Sequence, residues 1–178
     1  MVSQSSVVKI TSHYERRFIH ELGTYDVLER FLDAAFKMFD EGDIMQKAPM
    51  LQAKLLMISG VMFDNWGQFE NSIKQFEECL DIAQKNLDAN DEFLGGIYND
   101  LGNVSESMDE PQKAVEWHKK AWQIRSQTND PTGEGVGHSQ SNTARSLLML
   151  GEDEEAGKMM EAAELCFHKA SAWFHESQ

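Results

Sequence analysis

One periodicity constrains this chain more than any other property. Displacing the sequence on itself by 42 residues lays Gly60 on Gly102 and Ala144, Ser72 on Ala114 and Ala156, and Cys79 on Ala121 and Ala163. All nine positions are small, although Gly, Ala, Ser and Cys make up only 42 of the 178 residues. Agreement of this kind at one preset register has chance odds of about one in a few hundred thousand. The same displacement lays Trp66 on Met108 and Leu150, Gly67 on Asp109 and Gly151, and Phe76 on His118 and Met160. A fixed period of this length marks a repeat array, in which each unit completes its core against its neighbours.

The local pattern says what the unit is. Apolar residues recur at helical spacing in Val27-Phe31-Ala34-Ala35-Met38, in Ile73-Phe76-Leu80-Ala83 and in Val115-Ala121-Ile124. Seven breaks rich in Gly, Asp, Asn or Pro separate such stretches. They predict eight helices at about 6–22, 25–40, 47–66, 69–87, 93–108, 111–128, 135–150 and 153–175. The expected architecture is one all-α domain over 1–178, made of about four helical hairpins at 8–42, 47–90, 93–130 and 135–175. Small residues recur because the two helices of a hairpin, and the first helix of the next, approach too closely for a larger side chain.

A small residue, twelve positions, a small residue, seven positions and a third small residue, with an apolar-Gly hinge between helices, resembles the tetratricopeptide repeat. The common repeat has 34 residues. The longer unit here is similar to the repeats of kinesin light chains and of the Pins-type spindle-orientation adaptors. Asn99-Asp100-Leu101-Gly102-Asn103 resembles the Asn-Leu-Gly-Asn string of the latter, and Asn129-Asp130-Pro131-Thr132-Gly133-Glu134-Gly135 its inter-repeat linker. The resemblance covers residues 47–175. Residues 8–40 share it in part: Gly23, Tyr25 and Ala35 lie 44 positions before Gly67, Phe69 and Cys79, while Arg16 and Leu28 occupy slots for small residues. That first hairpin reads as a divergent, capping repeat. The resemblance implies a right-handed α-α superhelix whose first helices line a concave face.

On each first helix the inward stripe is offset −6, −3, +1, +4 and +5 from the small residue of the helix contact. Counting from Gly60 gives Lys54, Met57, Val61, Asp64 and Asn65; from Gly102, Gly96, Asn99, Asn103, Glu106 and Ser107; from Ala144, His138, Ser141, Arg145, Leu148 and Met149. This polar, mixed surface suits an extended peptide or helical segment of a protein partner. Carboxamides one turn apart, Asn99 and Asn103, could clamp a main chain through acceptor and donors together. The resemblance implies the same use, since those adaptors grip ligand backbones with asparagines. The alternatives are that the asparagines bond within the stack, and that Arg145 pairs internally with Glu106 rather than with a ligand.

Charge and motif content narrow the function. Sixteen Lys and Arg against thirty Asp and Glu give a net charge of −14, which disfavours nucleic acid and anionic membranes and would steer a basic partner. No apolar run approaches bilayer length, and the first six residues lack the pattern of a secretion signal, so the expected location is cytoplasmic. Cys79 and Cys166 form no Cys-x-x-Cys pair, the histidines form no ligand string, and no cofactor or metal is expected. Gly133-x-Gly135-x-Gly137 lacks the lysine of a phosphate loop. The leading expectation is a non-enzymatic interaction scaffold or adaptor. A regulatory or oligomerising segment of a larger signalling protein is the first alternative, because the helix near 153–175 is apolar on more than one side and could pair with a second copy. A small-molecule sensor or enzyme with a pocket around Asp64, Glu106, His138 and Arg145 is the second.

Overall fold

The computed structural model describes residues 25–41, 48–127 and 133–176. Seven helices occupy these residues: α1 (Tyr25–Glu41), α2 (Pro49–Asn65), α3 (Phe69–Asn86), α4 (Glu92–Ser107), α5 (Pro111–Arg125), α6 (Glu134–Leu150) and α7 (Asp153–Glu176). Each matches an expected helix to within three residues at either end. The eighth, expected at about 6–22, lies outside the described residues, as does most of the linker string before Gly133. The chain divides into two compact units, Met1–Asn86 and Leu87–Gln178. The first holds α1 against α2 and the hairpin α2/α3. The second holds the hairpins α4/α5 and α6/α7, with α5 packed on α6.

The three described hairpins turn in the same way. Gly67, Asp109 and Gly151, 42 residues apart, all adopt positive φ, at 70°, 59° and 77°. In each, the amide of this residue donates to the carbonyl three residues back and the next amide to the carbonyl five back from itself: Gly67 to Asp64 and Gln68 to Phe63, Asp109 to Glu106 and Glu110 to Ser105, Gly151 to Leu148 and Glu152 to Leu147, all at 2.9–3.0 Å. This is the Schellman closure, which needs a left-handed residue just past the helix. Asp109 meets the need without being glycine, as Asp and Asn do most readily after it. Pro49 and Pro111 start α2 and α5, where a missing amide costs nothing. Asp91 caps α4 by accepting from the Phe93 amide at 2.8 Å.

All nine register positions are buried. Gly60 lies under the Phe76 ring, and a Cβ there would sit 2.8 Å from ring carbons. Ser72 Oγ donates to the Gly60 carbonyl at 2.7 Å, and Cys79 Sγ approaches the Ala53 carbonyl at 3.0 Å. The structure adds a fourth small position that the sequence reading missed: Ala53, Gly95 and Gly137, also 42 apart and all buried. A Cβ on Gly137 would come within 3.2 Å of the Ala163 carbonyl, and one on Gly95 within 3.7 Å of the Ala121 carbonyl. In the first unit, Leu32 and Ala35 of α1 join Leu51, Leu55, Ile58 and Met62 of α2, flanked by Phe36, Phe63 and Trp66. In the second, Val115 of α5 joins Ala144, Leu147 and Ala156. Each Leu, Ile, Val or Met side chain buried this way stabilises its unit by about 1.5–3 kcal/mol.

Candidate functional site

The twelve residues expected at the site divide between the units. Lys54, Met57, Val61 and Asp64 are half-buried on α2, and Asn65 is exposed with its carboxamide donating back to the Val61 carbonyl at 2.8 Å. That bond closes within one helix, so Asn65 spends its donor locally. The other seven, Asn99, Asn103, Glu106, His138, Ser141, Arg145 and Met149, stand on α4 and α6 of the second unit, where the polar chemistry concentrates.

Four residue pairs tie α4 to α6, each joining residues about one repeat apart. Asn142 Nδ2 donates to Asn99 Oδ1 at 2.7 Å. Arg145 Nη2 donates to Asn103 Oδ1 at 3.2 Å. Arg145 also grips Glu106 Oε2 through Nε at 2.8 Å and Nη2 at 2.6 Å. The repeat explains the alignment, because equal positions on successive first helices recur at one level. Ser146 Oγ donates to the other oxygen, Glu106 Oε1, and the Nε2 atom of His118 lies 3.6 Å from that same oxygen.

Glu106 is the hub. Its side chain is 12% exposed, and burial by itself would raise its pKa. The nearby His118 imidazole, the hydrogen bonds from Arg145 and Ser146 and the Arg145 charge together outweigh burial and hold the carboxyl at about 2, below its ordinary 4.5. Glu106 therefore stays a carboxylate across the neutral range and neither gives nor takes a proton there. Arg145 remains half-exposed beyond the pair, so one edge of a guanidinium faces solvent beside two carboxamides.

The other expected residues go elsewhere. His138 is exposed, edge-on to Phe167 at 5.1 Å between ring centres, with Glu134 3.6 Å from its Nε2. It does not join Glu106, so the pocket expected around Asp64, Glu106, His138 and Arg145 is not assembled within the second unit. Ser141 Oγ lies 4.0 Å from Met160 Sδ. Leu148 and Met149 are exposed at the end of α6. Both alternatives weighed for the polar residues are present: the asparagines bond within the stack and Arg145 pairs with Glu106.

Sequence reading missed Asn142, Ser146 and His118. Asn142 and Ser146 sit one position beside the chosen stripe, a shift that the offsets could not resolve. His118 carried a signal: it falls on Phe76 in the register, so a polar side chain occupies an apolar slot. Among the described residues, no group of three His, Cys, Asp or Glu is placed to hold a metal ion, and no helix is long and apolar enough to cross a membrane.

Residues 53–86 match one tetratricopeptide repeat family model and residues 94–131 another. No curated protein matches the chain in sequence. Among solved structures, BtubC (BKLC) from P. vanneervenii superposes with a TM-score of 0.73 at 19% identity, over 91% of this chain and 62% of that one. The chain thus spans less than two thirds of that protein's length. Two structures of a kinesin light chain-like protein of Podosopora anserina, with nearly identical TPR-like repeats, give TM-scores of 0.57 and 0.55 at 15% identity. They match over 94% and 91% of this chain and 96% and 93% of theirs. Likeness at these identities establishes a shared fold.

Proposed function

We propose, from the premise that this chain carries tetratricopeptide repeats, that it is a non-enzymatic interaction scaffold whose second unit receives an extended peptide of another protein. The observation that carries this reading is the row of polar groups shared by α4 and α6: the partly exposed Asn99, Asn103, Asn142 and Arg145, held beside the largely buried Glu106. An extended peptide brings one donor and one acceptor per residue, and carboxamides answer both. The bonds now joining Asn99 to Asn142 and Asn103 to Arg145 hold these groups in place and are exchangeable, because a ligand carbonyl replaces one acceptor by another. Leu148 and Met149, exposed at the end of α6, supply an adaptable apolar contact beside the row. A net charge of −14 favours a partner with basic flanks.

The test is selection of binding peptides from a displayed random library on the wild-type protein, followed by calorimetry on variants. Asn99→Ala with Asn142→Ala, and separately Arg145→Ala, should each weaken a selected peptide at least tenfold, about 1.4 kcal/mol. Lys113→Ala, on the outer face of α5, should leave binding intact. Peptides that bind every variant equally would overturn the reading.

A second reading, self-association through the last helix, is favoured by a separate observation. Leu165 is 64% exposed and Trp173 42% exposed on α7, while Ala163 and Ala170 of the same helix are buried. Light scattering across a concentration series checks it: a dimer that Leu165→Glu dissociates would establish it, and a monomer at all concentrations would remove it.

A further inference from the structure

His118 is a fully buried titratable side chain that the clamp described above does not use. Its ring lies against Gly102 of α4, and neither ring nitrogen has a hydrogen-bond partner. Packing alone does not call for it. The equivalent positions of the other two described hairpins hold Phe76 and Met160, which fill the slot without an ionisable group. Where this hairpin has Glu106, the register places Asp64 in one of the others and Leu148 in the other. The imidazole thus occurs in the same hairpin as the carboxylate that Arg145 grips.

The ionic surroundings of the ring are simple. Its Nε2 lies 3.6 Å from Glu106 Oε1. Helix α5 packs on α4 and α6, and the charged groups those helices bring to this point are Glu106 from α4 and, beyond its carboxylate, Arg145 from α6. Lys119, next to His118 on α5, is paired instead with Glu155 of α7 at 3.2 Å.

Arg145 connects this pair to the clamp. Its Nη2 lies 3.2 Å from Asn103 Oδ1 and 2.6 Å from Glu106 Oε2. A ligand acceptor that draws the guanidinium away from Asn103 therefore draws it away from Glu106 as well. The carboxylate, 12% exposed, is then left with the Ser146 hydroxyl and no compensating charge, which burial makes unfavourable. His118 stands where that charge is needed. A proton makes both ring nitrogens donors, and a shift of less than about 1 Å brings Nε2 into a charge-assisted hydrogen bond with Oε1.

Resting on the peptide-clamp reading, we propose that His118 takes up a proton when a peptide acceptor engages Arg145, so that the clamp tightens as pH falls. The sign follows from linkage: a proton held more firmly in the complex than in the free protein makes affinity rise with falling pH, by at most about tenfold per pH unit for one site. His118 is a positioning residue here, acting through Glu106 without touching the peptide.

The probe is a library-selected peptide, acetylated at its N-terminus and free of His and Cys, whose affinity Arg145→Ala lowers at least about tenfold. Calorimetry on the full chain between about pH 6 and pH 8, in buffers of different ionisation enthalpy, counts the protons taken up on binding. The wild-type protein should take up protons and bind at least about threefold more tightly at the acid end. His118→Phe and, separately, Glu106→Gln should each abolish the uptake and flatten the pH dependence, and either variant decides the matter if the other does not fold. An Arg145-dependent peptide bound without proton uptake would overturn this proposal and leave the clamp standing. Uptake that persists in His118→Phe would also overturn it, because the proton would then reside elsewhere, on Glu106 or on the exposed His138. Peptides indifferent to Arg145→Ala would remove the clamp and the proposal together.

Discussion

The hairpins α2/α3 and α4/α5 share one backbone plan and differ in what fills one slot. Both turn through a left-handed residue 42 positions apart, and both press a ring onto a first-helix glycine. In α2/α3 the ring is Phe76 on Gly60, an apolar side chain 1% exposed. In α4/α5 it is His118 on Gly102, fully buried, with neither ring nitrogen within hydrogen-bonding distance of a partner. Burying an imidazole without full hydrogen bonding costs more than burying a phenyl ring. The cost is offset in part by Glu106, whose carboxylate lies 3.6 Å from Nε2. The repeat therefore fixes the volume of the slot and leaves its polarity free. A polar hub can be set between helices with no change of the backbone that carries it.

The largest expected effect tests the dry member of the pair. Phe76→Ala should cost about 3–5 kcal/mol in chemical denaturation, because a fully buried ring leaves a cavity over Gly60. Next comes the contact itself. Gly102→Ala gains helix propensity of about 1 kcal/mol yet should still destabilise by about 1–3 kcal/mol, since a Cβ would collide with the His118 ring. Adding His118→Met should recover most of the loss, as it imports the Ala144 and Met160 pair found at the same register of the third hairpin.

The polar hub gives a pH test. The folded carboxyl of Glu106 lies at about 2, below its ordinary 4.5. Its contribution is fully present above about pH 4.5 and is lost as pH falls through 2. Glu106→Gln should thus cost about 2 kcal/mol at neutral pH, with the gap to wild type closing between those values in an acid denaturation series. His118→Phe, which copies the other hairpin, should change stability by less than about 1.5 kcal/mol. It should also move the Glu106 carboxyl above 2 in an NMR titration, because one of the influences that lower it is gone. The smallest effect belongs to the surface. Lys85→Ala removes an exposed pair with Asp81 and should cost no more than about 0.5 kcal/mol.

Much of the fold was legible because the features that specify it are local or strictly periodic. Gly67, Asp109 and Gly151 announce the turns, Pro49 and Pro111 the starts, and the nine small positions the closest approaches between helices. The site was legible in part. Asn99, Asn103, Glu106 and Arg145 could be placed by counting from Gly102 and Ala144, and the structure joins three of them in one network. Asn142 and Ser146 could not, because an offset of one residue turns a side chain by about 100°, and which neighbour it meets depends on how two helices are rotated against each other. His118 was visible as an exception to the register, yet its contact with Glu106 was not.

The sequence by itself determined the repeat, its period, its hinges and the volume of each contact, since each follows from the steric limits of residues at fixed spacing. Only the tertiary structure decided which polar groups meet. Hydrogen bonds and ion pairs depend on distances of a few tenths of an ångström between separate helices, and a one-dimensional register does not carry that information.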